Sequence, residues 1–116
     1  MTVRVIGNGK FSSYVASSTD LSHTVSSTWD WCVDEIRLHF TTGAVAGANT
    51  LEVKIDSGMS TELDHLIVSQ DLAAVENFRV SYSPALSLGS TDSLVATWTN
   101  SSSKNYGFEV IYRKEQ

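Results

Sequence analysis

The chain has 116 residues, 41% hydrophobic and 18% charged, enough for one domain spanning 1–116 with a modest core and no room for a second. Eight basic residues against thirteen acidic ones give a formal charge of -5, which offers no footprint for a phosphate backbone and argues against nucleic acid as a partner. No apolar run reaches the roughly 18 residues that cross a bilayer, and the start MTVRVIGNGKF lacks a leader pattern, so neither membrane insertion nor export is expected.

A single cysteine, Cys32, excludes an internal disulfide and a Cys-rich zinc site, so packing alone has to hold the fold. Ser and Thr together make up about a quarter of the chain, well above ordinary usage. Thr suits strands and Ser suits turns, so the composition leans towards all-β.

In chain order, TVRVI reads as a first strand, and GNGKFSSYVASS after it as a Gly/Ser-rich stretch. Residues 1–20 can therefore form either an ordinary first strand or an N-terminal arm that adds to a neighbour's sheet edge. DLSHTVSS is a weaker strand candidate around Leu21 to Val25.

SSTWDWCVDEIRLHF, Ser26 to Phe40, breaks the period-two rule: Trp29, Trp31 and Val33 hold odd positions, while Ile36, Leu38 and Phe40 hold even ones. A β-bulge near Asp34 and Glu35 would bring both halves onto one buried face. A regular strand would instead turn Trp29, Trp31 and Val33 outward as a candidate interaction surface. Cys32 and His39 are expected on opposite faces, about 23 Å apart along the strand at the usual rise, so no thiolate–imidazole nucleophile forms.

TTGAVAGAN reads as a turn, and LEVKI as a strand with Leu51, Val53 and Ile55 on one face, closed by DSG. The loop DSGMSTELD offers oxygen ligands in Asp56, Ser57, Glu62 and Asp64 but lacks the calcium ladder of an EF-hand. HLIVSQDL has Leu66, Ile67 and Val68 in continuous succession, as in a strand covered on both faces. SQDLAAVENF is the best place for a short helical turn, and no helix is demanded.

NFRVSYSP alternates through Phe78, Val80 and Tyr82 until Pro84 ends the pairing. After the turn LGSTDS, LVATWTN sets Leu94, Ala96 and Trp98 on one face; after NSSSKN, the run NYGFEVIYRK does the same with Tyr106, Phe108, Val110 and Tyr112. Asn100 in NSS fits a glycosylation sequon. About eight strands at spacings of roughly 8–15 residues predict a two-sheet antiparallel β-sandwich, jelly-roll-like.

Chemistry-bearing motifs are sparse. His23, His39 and His65 lack HxH or HExxH spacing, and no spacing rule pairs Asp30, Glu35, Asp56, Glu62 or Asp71 across a cleft. The expectation is a non-enzymatic protein with no catalytic, cofactor-binding or metal residues. Trp29, Trp31, Trp98, Tyr14, Tyr82 and Tyr106 could stack on sugars, which keeps a carbohydrate-binding module for host-surface attachment as the alternative.

The succession LEVKIDSG, HLIVSQDL, PALSLGSTDSLVATWTN and KNYGFEVIYRK, over residues 36–113, resembles small one-domain virion proteins of tailed bacteriophages. The closing strand YGFEVIY after TN and a polar turn carries most of the likeness, with GSTDS, Gly89 to Ser93, standing where relatives have a Gly-Asp turn. The resemblance implies a β-sandwich or jelly roll that decorates or cements a capsid, or forms part of a connector or tail. It would act in the virion after assembly in the host cytoplasm, with other virion proteins as partners and as a homo-oligomer.

Overall fold

The computed structural model describes residues 2–41 and 49–115. Its elements are β1 (Thr2–Gly7), β2 (Lys10–Ser17), β3 (Leu21–Ser26), β4 (Trp31–Phe40), β5 (Thr50–Asp56), a 3-10 turn at Thr61–Leu63, β6 (His65–Asp71), β7 (Asn77–Leu88), β8 (Ser93–Trp98) and β9 (Tyr106–Lys114). One sheet has the order β1-β2-β9-β4-β7 and the other β3-β8-β5-β6, and every pairing is antiparallel.

Within that order lies a simple wrap. β2 pairs with β9, β3 with β8, β4 with β7 and β5 with β6, so the chain folds as one long nested hairpin. The contacts β4·β9 and β5·β8 then roll it into two layers. This is a jelly roll of eight strands, β2 to β9, with β1 added outside it.

The expected count of about eight strands missed β2. KFSSYVAS shows no apolar alternation because Ser12 and Ser13 are both buried: Ser12 donates to Glu109 on one face, and Ser13 bonds His23 on the other. The turn before β2 is a two-residue hairpin at Asn8 and Gly9, both with positive φ (54° and 71°). That geometry matches the right-handed twist of the flanking strands, and Asn-Gly is its favoured sequence.

Between Val33 and Glu35 the register of β4 slips against β9 by the one residue Asp34. The slip places Trp31 and Val33 on the same inner face as Ile36, Leu38 and Phe40, all five buried. The regular-strand alternative is thereby overturned for this segment.

Two other expectations are corrected. Pro84 does not end its strand: β7 continues to Leu88, because four residues (82–85) bulge opposite Asp34 on the sheet's outer edge, where a missing N–H breaks no ladder bond. The Leu66–Val68 run is not covered on both faces; Ile67 is the extra residue of a bulge, Leu66 is exposed and Val68 is buried. At SQDLAAVENF, β6 runs to Asp71 and an irregular link follows, with Leu72 buried and no helix. The turn expected at TTGAVAGAN falls largely at 42–48, outside the described residues.

The core fills the space between the layers. Phe40 packs edge-on against Trp98 and Trp98 against Tyr106 at one end, with Trp31 against Tyr112 towards the other, the geometry ring quadrupoles prefer.

Candidate interaction surfaces

Three exterior features among the described residues bear on interaction. The first is β1. Its six residues are all exposed, although Val3 and Val5 belong to the inner-face rows of Ser13 and Phe11. The second layer ends at β3, which lies against β2, so β1 overhangs with no strand of the second layer facing it among the described residues. Val3 is 46% and Val5 72% exposed, and among the described residues the far side of β1 is an unpaired sheet edge.

The second is a tip made of three loops at one end of the roll: 27–30, 57–64 and 89–92. Asp30 accepts from the Ser90 N–H at 3.1 Å, tying the first loop to the third. Gly58 ties in the second, since a Cβ there would lie 2.3 Å from the Thr91 carbonyl oxygen. Asp64 accepts from the Ser57 N–H and Asp92 from the Gly89 N–H, so the acids set the loop shapes, and none of Asp30, Glu62, Asp64 or Asp92 enters an ion pair among the described residues. The loops carry no Lys or Arg. On this hydrogen-bonded acidic frame stand Trp29, Met59 and Leu63, at 58%, 80% and 56% exposure.

The third is a shallow hollow of about 260 Å³ on the outer face of the five-stranded sheet. Ala16 and Gly107 are paired neighbours in the ladder and form its floor, because neither has a side chain to raise it. Tyr14 stands on one side with the Arg4 guanidinium 5.6 Å from its ring centre. His39, bonded to Asn77, stands on the other. Arg37 closes one end, paired to Glu35 at 2.6 Å and Glu109 at 3.1 Å. Burial pushes the Glu109 carboxyl up, but the Ser12 hydroxyl, Arg4 and Arg37 outweigh it and hold its pKa below the ordinary value.

The residues singled out in the sequence scatter across these features. Trp29 is exposed, while Trp31 and Val33 are fully buried, so the three do not form a common outward patch. Trp98 and Tyr106 are also buried, which leaves no platform of paired aromatic rings for a sugar. Cys32 and His39 share the outer face, contrary to expectation, because the bulge at Asp34 shifts the alternation between them. Their ladder partners Arg113 and Gly107 are six residues apart on β9, about 20 Å. Burial pushes the Cys32 thiol up, which disfavours the thiolate.

Asn100 is no accessible sequon. It is buried, with its amide donating to the carbonyls of Ser18 and Lys104 and accepting from the Lys104 N–H. Among the described residues no group of three His, Cys, Asp or Glu is placed to hold a metal ion, and no helix is long and apolar enough to cross a membrane. The tip and the hollow were invisible in the sequence; each depends on which strands become neighbours.

No protein-family model matches this chain, and no curated protein matches it. The fold and the exterior define a jelly-roll β-sandwich whose distinctive features are surfaces.

Proposed function

We propose that this protein is a non-enzymatic structural component of a tailed-bacteriophage virion, attaching to capsid or tail as a decoration, cement or connector element. One observation carries the reading: β1 lies outside the eight-strand roll, buries none of its own residues, and presents two uncovered valines beside a free sheet edge. A strand that adds so little to its own core is suited to completing someone else's sheet, where main-chain bonds give affinity and Val3 and Val5 give the apolar contact. Jelly rolls serve in viral capsids and equally in lectins, so the fold alone does not select the role. The sequence likeness to virion proteins supports the first use, and the burial of Trp31, Trp98 and Tyr106 weighs against glycan stacking.

Mass spectrometry of purified particles from the genome encoding this chain tests the proposal. The chain is expected at stoichiometric copy number, and Val5→Lys is expected to strip it from the particle while leaving the free protein folded. Wild-type particles that contain none of it would overturn the reading.

A further inference from the structure

The tip and the hollow have complementary characters, and they lie on different parts of one molecule. The tip is convex, with apolar Trp29, Met59 and Leu63 set among acids that have no cationic partner among the described residues. The hollow is concave and floored by Ala16 and Gly107. Arg4, Arg37 and Arg79 stand along its side of the sheet against Glu35 and Glu109, an excess of one positive charge. The part beside Tyr14, about 260 Å³, has room for one inserted side chain. An indole can lie along Tyr14, and the tip carboxylates then face the arginine rim.

We infer that the loop tip of one copy seats Trp29 in the Ala16–Gly107 hollow of a second copy, so that the protein self-associates through a heterologous, tip-to-sheet contact. The occupant is a second copy because this chain supplies both halves: the acidic apolar knob and the cationic hollow. Such a contact closes into a ring if its rotation permits, and otherwise propagates as a filament. This deepens the virion reading by naming one partner; Arg4 of β1 joins the rim of that contact, while Val3 and Val5 lie on the opposite face of the strand and stay open to another protein.

Sedimentation of the full chain up to about 1 mM, the weak end of specific association, tests the inference. Wild type is expected to gain mass with concentration, with the emission of Trp29 shifting to the blue as its ring is covered; Trp31 and Trp98 are already buried. Trp29→Ala removes the knob. Gly107→Val raises the floor, at a position where an added Cβ meets nothing within 4 Å.

Each variant alone should associate at least tenfold more weakly. Their equimolar mixture should recover a capped heterodimer, because one supplies an intact tip and the other an intact hollow. Should Gly107→Val lose its cooperative melt, Ala16→Val, on the adjacent exposed position, fills the same floor. A wild type monomeric throughout, a mixture that stays monomeric while wild type associates, or Trp29→Ala associating normally overturns the inference. So does a monomer that binds an anionic oligosaccharide in the hollow and loses it on Gly107→Val. A monomeric chain still present in particles would leave the virion role standing, whereas a self-associating chain absent from particles would remove only that role.

Discussion

At the scale of single residues, the buried polar side chains His23 and Asn100 each have a structural task. His23 projects from β3 into the interlayer space, bonds Ser13 of β2 at 2.8 Å and meets the ring of Phe108 edge-on. Burial disfavours its imidazolium and lowers its pKa from 6.5. The unfolded chain therefore takes up the proton first as pH falls, and stability declines below about pH 6.5 until the folded state also protonates, at a slope of at most about 1.4 kcal/mol per pH unit. Chemical denaturation between pH 7.5 and 5 should show this loss, and His23→Gln should flatten it. Asn100 has the complementary task of closing the turn before β9. Asn100→Ala would strand the Lys104 N–H and the Ser18 and Lys104 carbonyls, so a urea melt should report a loss of about 2–3 kcal/mol.

At the scale of elements, bulges decide which face each strand shows. Asp34 is the residue that lets one strand carry Trp31 and Val33 on odd numbers and Ile36, Leu38 and Phe40 on even ones while burying all five. Deleting Asp34 forces the two halves of β4 onto opposite faces. Either Trp31 and Val33, or the other three, must then leave the core, at about 1.5–3 kcal/mol for each side chain exposed. Set against a total stability of about 5–15 kcal/mol, the deletion should abolish the cooperative melt and shift Trp emission to the red.

The same devices explain what the sequence could show. β5, β8 and β9 were legible because they alternate cleanly against one core, and the β4 irregularity was legible as two alternatives without a choice between them. β2 was not legible, because its buried positions include two serines whose partners, Glu109 and His23, lie 97 and 10 residues away. Pro84 misled because its tolerance depends on β7 being an edge strand, which only the sheet order reveals. The burial of Trp31 follows from the bulge and the exposure of Trp29 from its place in the loop before β4 begins, so the expected indole pair had to await the fold.

At the scale of the whole molecule, core and exterior have separate owners. The eight-strand roll holds the hydrophobic cluster, and all six ion pairs found among the described residues lie on the outer face of the five-stranded sheet. Exposed pairs of this kind contribute about 0–1 kcal/mol each, so they shape that surface more than they stabilise it. β1 stands apart from both. Its ladder to β2 gains about 0.5–1.5 kcal/mol per hydrogen bond, and ordering its backbone costs about 1–2 kcal/mol per residue, so the two nearly cancel when no side chain is buried in return. Deletion of Thr2–Gly7 should accordingly leave the midpoint of a thermal melt within a few degrees of wild type. The same deletion should abolish incorporation into particles if β1 is the attachment strand. A large loss of stability would mean that β1 serves the roll itself, and would take away the physical reason for assigning it to a partner.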